Sequence, residues 1–308
     1  MVQFMLNRGF AIIPLLLGVT IIVFLMMQLV PGDPVSMMLG ETSAASVSDI
    51  ERLREELGLN DSVPVQYWNY LSGLIRGDLG TSMRIRRPVT ELILDRLPST
   101  MALTAAGLAI AVILGLGLGL VAALNHNTLL DNLAVVAALL GVSIPSFWLG
   151  LMLMQLFSVT LNWLPVLGSG GIRGLILPAI TLGIWAAGDI ARLTRSGVLE
   201  VVRQDFVRTA QSKGLPRARL VRRHVLRNAL IPVITVIGVR FGQVLAGTVI
   251  IETVFARPGL GLTLVNAIVA KDFPLVQGIV LFVASAYVIA NFAVEAAYTQ
   301  LDPRIEYA

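Results

Sequence analysis

Cysteine is absent from the 308-residue chain, histidine occurs twice, and charged residues make up only 14%. Disulfides, thiolate metal sites and cysteine nucleophiles are thereby excluded. His126 and His224 fall in separate turns without a carboxylate cluster, which is not the pattern of a metal centre. No Gly-x-x-x-x-Gly-Lys-Ser/Thr phosphate loop occurs, so the chain is not expected to bind ATP. The run Gly115-Leu-Gly-Leu-Gly119 is too short and too apolar for a nucleotide loop, and its small residues suit close helix packing. No span has a clear central acidic residue and no inverted repeat is visible, which weighs against an ion-coupled secondary transporter. Neither a Ser-His nor a paired-Asp arrangement lies at depth, as an intramembrane hydrolase needs. Met26, Met27, Met37 and Met38 read as core filler rather than a soft-metal path.

What fills the chain instead is apolar residue, 56% of the total, with a mean hydropathy of +0.81. That composition belongs in a bilayer. Crossing the hydrocarbon core takes about 20 apolar residues, and six windows qualify: Phe10–Val30, Thr100–Leu124, Leu133–Leu161, Leu175–Arg195, Leu230–Phe255 and Leu275–Ala297. The fold class expected is an all-α membrane protein of six transmembrane helices, with both termini on one side. The first window is longer than a signal-peptide core and has no small-x-small cleavage site before Pro31-Gly-Asp-Pro34, so it reads as a retained anchor, residues 1–30. Residues 196–228 are the most basic loop and, with Arg8, should be cytoplasmic. The short loops Asn162–Gly174 and Ala256–Pro274 are nearly uncharged by comparison and fall outside. A net charge of +4 needs no nucleic acid, since topology and anionic lipid account for the basic excess.

Residues 31–98 are polar, net acidic and too long for a turn. They predict a small extracytoplasmic helical cap between helices 1 and 2. Ser48-Asp-Ile-Glu51 is a capping box opening a helix with Ile50, Leu53 and Leu57 on one face and Gly58 as its stop. A second helix is predicted over Pro64–Arg76 with Val65, Trp68, Leu71 and Ile75 inward, and a third over Pro88–Leu97. The cap serves as a lid, as a docking surface for an external delivery protein, or as both. Residues 99–300 then form the core transmembrane domain, and 301–308 a cytoplasmic tail.

The cytoplasmic loop carries a helix–corner–helix pattern from Asp205 to Pro232. Asp205 is an N-cap candidate, the helix runs Phe206–Lys213, Gly214 supplies a left-handed C′ position, and Pro216 fits N1 of a second helix leading through Arg227 to the fifth span. Phe206, Ala210 and Gly214 are expected to present a small apolar knob, for which a merely solvated linker has no use.

This loop resembles the coupling motif of permease subunits of bacterial ABC importers, in the form found in the dipeptide and oligopeptide branch. The family's Glu-Ala-Ala triplet falls on Arg208-Thr209-Ala210 and its glycine on Gly214. Arg208 departs from the general acidic position but is similar to the Arg-Thr-Ala of the peptide branch. Pro31-Gly-Asp-Pro34, Gly77-Asp-Leu-Gly-Thr81, Arg87-Pro-Val89, Arg192-Leu-Thr-Arg195, Arg227-Asn-Ala-Leu-Ile-Pro232, Glu252-Thr-Val-Phe255, Pro258-Gly-Leu-Gly261 and Asp302-Pro-Arg304 also look like segments of that branch, in order. The resemblance implies a type I importer permease fold, with an ATPase-coupling surface at Asp205, Phe206, Arg208, Thr209, Ala210, Lys213 and Gly214. It also implies a non-catalytic subunit of the bacterial inner membrane with no cofactor of its own. The implied partners are a second, similar permease, two cytoplasmic ATPase subunits that bind ATP and Mg, and an extracytoplasmic substrate-binding protein. Peptides are the implied cargo, with nickel complexes, glutathione or another small solute as alternatives.

Four polar residues are candidates for the pathway or a gate. Asp189 stands three residues from Arg192, a spacing that gives a local ion pair or a gate near the cytoplasmic mouth. Asn291 and Glu295 lie one helical turn apart in the sixth span, either lining the pathway or bonding a neighbouring helix. Gln243 and Glu252 flank the outer half of the fifth span, where Glu252 reads as a cap of the outer loop.

Overall fold

The computed structural model describes residues 2–29, 51–52, 54–55, 58–168 and 171–301. Long apolar runs become helices because in hydrocarbon only a ladder within the segment satisfies every backbone group. In chain order these are α1 (Val2–Leu29), α2 (Val63–Ile75), α3 (Val89–Leu124), α4 (Leu129–Ser143), α5 (Ser146–Met154), α6 (Gly171–Val202), α7 (Asp205–Ser212), α8 (Arg217–Leu220), α9 (Leu226–Val254), α10 (Leu260–Val269) and α11 (Phe273–Leu301). α5 continues as a π-helical turn, Gln155–Thr160, and another, Val221–Val225, joins α8 to α9. Among the described residues, the only extended pairing is an isolated bridge between Thr81 and Pro88.

Where the sequence predicts six spans, four helical segments among the described residues are long and apolar enough: α3, α6, Pro232–Val254 of α9 and Phe273–Val294 of α11. The predicted span Leu133–Leu161 is instead two segments, Leu129–Ser143 and Ser146–Thr160, bent by 102°. Pro145 is the physical cause. Its ring removes a donor and pushes the preceding residue out of the helical region, and Ile144 accordingly sits at ψ 124°. Counting this pair as one broken span gives five. The first predicted span lies on α1, Val2–Leu29, of which Ile12–Met26 is the apolar stretch among the described residues, and Val30 lies outside them. The predicted third cap helix does not end before the second span. Both are one helix, α3, with Pro98 inside it.

The chain divides into two compact units, Met1–Pro98 with Gly259–Ala286, and Ser99–Pro258 with Tyr287–Ala308. Within the second unit, α6 is the most enclosed span, 67% of its most apolar stretch being buried. Small residues admit its neighbours. A methyl added at Gly115 of α3 falls 2.6 Å from Ile190 Cβ, and one at Gly119 falls 2.5 Å from the Ala191 carbonyl oxygen. Gly117 meets open space, so the glycine run packs through its i and i+4 positions only. Three hydroxyls buried in this core return to their own helices: Thr104, Thr181 and Thr194 each donate to the carbonyl four residues back, at 2.7–2.8 Å.

In the first unit, α2 does not turn Val65, Trp68 and Ile75 inward. They are exposed, Trp68 by 67% and Ile75 by 79%. The face that packs is Tyr67 and Tyr70, with ring centroids 5.4 and 6.0 Å from Phe24 of α1, while Tyr67 Oη lies 3.0 Å from Thr20 Oγ1. Amphipathic tyrosine bodies thus replace the aliphatic stripe. Burial, reinforced by Tyr67, pushes the Tyr70 hydroxyl up to about 12. Gly58 has φ +65°, in keeping with a helix stop, whereas Ser48, Ile50, Leu53 and Leu57 lie outside the described residues.

The segment Ala256–Pro274, predicted as a plain outer loop, contains the helix α10. Its apolar residues Leu260 and Ala267 pack with Val89, Ile93, Leu275 and Ile279 as a buried cluster. Beside it, Asp272 is 2% exposed and accepts from Ser82 Oγ at 2.5 Å, Met83 N at 3.1 Å, and Arg84 N and Leu275 N, each at 3.4 Å. The carboxylate fixes the 82–84 turn.

Candidate functional site

The basic loop folds into the corner that its caps predict, with two shifts of position. Gln204, at ψ 150°, is the N-cap of α7, so Asp205 is the first helical residue, where its charge favours the positive helix end. Pro216 precedes α8, its carbonyl accepting from Leu220 N at 3.0 Å. At the other end of α7, Gly214 has φ +77°. Leu215 N donates to Ala210 O at 3.3 Å and Gly214 N to Gln211 O at 2.9 Å, the two bonds of a Schellman end. The turn is therefore held by backbone geometry that only glycine adopts without strain.

What anchors the corner is a residue that the sequence reading passed over. Val207 is completely buried and, with Leu220 and Val225, packs on Val198 and Val201 of α6 and Ala123 of α3. Ala210 packs against this cluster rather than joining an outward knob. Phe206 is 40% exposed, and Asp205, Arg208, Thr209, Lys213 and Gly214 are exposed as well. The spacing of Val207 and Ala210, three residues apart, is the signal that defines the inner face. Arg208 lies 3.9 Å from Asp205, both exposed, a pair that contributes little. The result is a short helix with one face welded to α6 and the other offering a half-exposed phenyl ring ringed by polar groups.

Asp189 of α6 pairs with Arg192 at 2.6 Å and also receives Arg240 of α9. Asp189 and Arg240 are only 19% and 20% exposed, against 58% for Arg192. The local ion pair expected from sequence is thus one arm of a bridge between two helices. Arg240 carries no sequence signal toward Asp189, 51 residues away.

A second network joins the turn before α4 to α6. Asp131 is 2% exposed and accepts from Arg195 twice, at 2.7 and 2.8 Å, and from Asn127 N at 3.0 Å. His126 Nδ1 lies 3.2 Å from both Arg195 Nη2 and Asp131 Oδ2. One nitrogen serves the first as acceptor or the second as donor, not both. The sequence reading has His126 isolated, but folding gives it a carboxylate and a guanidinium.

Glu252 also receives a hydroxyl from a neighbouring helix: it is fully buried within α9, and Thr100 of α3 donates to it at 2.7 Å. Arg257, 8% exposed, follows on the loop and donates to Gly168 O at 2.8 Å; burial lowers its pKa and Glu252 partly restores it. Gln243 Oε1 and Asn291 Oδ1 are buried without a hydrogen-bond partner among the described residues. Of the remaining pathway candidate, Glu295, the side chain lies outside the described residues.

Residues 115–307 match the family described as Binding-protein-dependent transport system inner membrane component, and residues 1–104 match its N-terminal counterpart. Glutathione transport system permease proteins of Pectobacterium atrosepticum and Salmonella typhimurium are each 41% identical over 307 residues, covering 100% of both chains. A Brucella abortus protein named as a peptide transport system permease is 43% identical over 315 residues, again covering 100% of each. Among solved structures, inward-facing conformations of the MetNI methionine ABC transporter align with a TM-score of 0.58 at 17% identity, covering 68% of this chain and 96% of that one. A crystal structure of an amino acid ABC transporter aligns with a TM-score of 0.53 at 17% identity, covering 70% and 95%. At that identity the likeness is one of fold.

Proposed function

The chain belongs to the family of inner-membrane components of binding-protein-dependent transport systems, and from that premise we propose that it forms half of the translocation pathway of an ATP-driven importer. It pairs with a second, similar permease, two cytoplasmic ATPase subunits holding ATP and Mg, and an extracytoplasmic binding protein. Six crossings place both termini and the α7 corner in the cytoplasm and the cap outside, with the bent α4–α5 pair as one crossing. Small peptides, glutathione included, are the cargo class, in line with the names of the full-length relatives.

One observation carries the mechanism: α7 exposes Phe206 while Val207 is buried against α6. An ATPase cleft that seats Phe206, with Asp205, Arg208, Thr209, Lys213 and Gly214 around it and Ala210 on the inner face, moves α7 when the two ATPases close. The buried Val207 face passes that displacement to α6. ATP drives the change only by binding the two states with different affinity, and about 5.5 kcal/mol of difference takes the equilibrium from 1:99 to 99:1. Asp189 with Arg192 acts as a cytoplasmic gate latched by Arg240, and Asn291 and Glu295 face the pathway.

Gentle solubilisation of the tagged chain tests the reading. Co-purification of the two ATPases, with hydrolysis stimulated by the loaded binding protein, is expected. A preparation that brings down no ATPase overturns it.

A further inference from the structure

The cap helix α2 has more apolar surface than α1 covers. At 3.6 residues per turn its side chains fall on three arcs. Gln66, Asn69 and the C-cap Arg76 share a polar one, Tyr67 and Tyr70 a second, and Val65, Trp68 and Ile75 a third. The tyrosines pack on Phe24 of α1. The third arc is left open, since Val65 is exposed as well as Trp68 and Ile75. A bare stripe of this kind marks a contact with protein or with membrane.

What covers the stripe follows from where α2 meets α1. The apolar stretch of α1 ends at Met26. Phe24 and Thr20, which the tyrosines touch, stand two and six residues before that end, about 3 and 9 Å inside it at 1.5 Å per residue. One turn beyond Phe24 the contact becomes polar, with Gln28 Nε2 donating to Gln66 Oε1 at 2.8 Å. Tyr67 and Tyr70, one turn apart on α2, meet the same phenyl ring, the pattern of a helix that crosses α1 rather than running beside it. Ile21, Ile22, Leu25 and Met26 of α1 are exposed at the same level. We propose that α2 is an interfacial helix whose Val65, Trp68 and Ile75 stripe rests in the outer leaflet of the bilayer, tying the cap to the membrane surface. The inference rests on the reading of α1 as a crossing with the cap outside. Lipid is the occupant because the stripe adjoins the apolar end of α1, at the depth of about 5–10 Å where interfacial helices lie. Tryptophan suits that level, and Asn69 and Arg76 keep their arc toward headgroups and water.

Because the chain has no cysteine, single cysteines introduced into it can carry a nitroxide in the intact transporter, assembled with cysteine-free partner subunits in lipid discs. Collision of the label with dissolved oxygen, which concentrates in hydrocarbon, and with water-soluble chromium oxalate reports its depth. Labels at Val65→Cys, Trp68→Cys and Ile75→Cys are expected to favour oxygen, at a depth of about 5–10 Å, and the label at Asn69→Cys to favour chromium oxalate. Chromium access at all four positions overturns the proposal by putting the stripe in water. Shielding of the stripe from both reagents overturns it by putting a protein there. If the Trp68→Cys transporter does not assemble, the unlabelled protein answers the question. Lipids brominated near the top of the acyl chain are expected to quench the part of the tryptophan emission that Trp68→Phe lacks, and full emission in those lipids overturns the proposal. Ile21→Cys separates the inference from its premise. Chromium access there defeats the reading of α1 as a crossing and the proposal with it, whereas oxygen at position 21 with chromium at position 68 overturns the proposal alone.

Discussion

Arg195 holds Asp131 in a two-pronged grip, Nε to Oδ1 at 2.7 Å and Nη2 to Oδ2 at 2.8 Å, joining α6 to the first turn of α4. Removing the arginine strands a carboxylate that is nearly inaccessible to solvent, a destabilising change. Arg195→Leu is expected to lower the melting temperature of the purified complex sharply. Arg195→Lys does nearly the same, because an ammonium does not reproduce the fork. The double replacement by leucine recovers most of the loss, since no charge is left unpaired. Identical melting curves for wild type and Arg195→Leu would show that the grip holds nothing.

Gly214 isolates one physical effect. A Cβ there meets no atom within 4 Å, so substitution adds backbone strain and no clash. At φ +77° that strain is about 1–2 kcal/mol for an ordinary L-residue and more for a β-branched one. Gly214→Val is expected to abolish uptake with membrane insertion intact, and Gly214→Asn to retain much of it. Uptake assays in whole cells, with the amount of inserted protein measured beside them, decide this. Full uptake with valine means that the corner transmits no force.

These two features differ in how far the sequence reveals them. A Schellman end is local information, set by one glycine and the residues beside it, so the corner at Gly214 is legible from a few letters. The break at Pro145 is equally local, yet a hydropathy window averages over it and reports one long span. Partners that meet only on folding leave no such trace. Asp131 and Arg195 are 64 positions apart, Thr100 and Glu252 152, and Ser82 and Asp272 190. The inner face of α2 is misread for another reason: Trp68 outranks tyrosine on any hydropathy scale, but Tyr67 and Tyr70 have a neighbouring Phe24 and a hydroxyl of Thr20 to meet.

Phe206 and Val207, adjacent in sequence, separate docking from anchoring. Phe206→Ala removes an aromatic from an exposed face and is expected to leave the melting temperature of the isolated permease pair within about 2 °C, since surface changes cost under about 0.5 kcal/mol. It should cut ATPase co-purification severely, as loss of a central aromatic anchor does. Val207→Ala opens the core under α7 and costs about 1–3 kcal/mol, with the docking face chemically unchanged. If both variants lose stability and neither loses ATPase, the assignment of the two faces is wrong.

The bridge from Asp189 to Arg240 predicts coupling between helices that separate substitutions cannot report. Asp189→Asn leaves Arg240 four-fifths buried without its counter-charge, and Arg240→Gln leaves Asp189 with Arg192 alone. If the bridge latches α6 to α9, each single change is expected to raise ATP hydrolysis in the absence of binding protein, because the closed arrangement loses a charge-assisted bond worth about 1.5–3 kcal/mol. The double change removes the same bond only once, so its effect matches either single change rather than their product. Arg192→Gln provides the contrast: its side chain is 58% exposed and its bond stays within one helix, so it shifts basal hydrolysis little. Basal rates that simply multiply in the double variant show two independent residues, and a dominant effect of Arg192 places the latch within α6 alone.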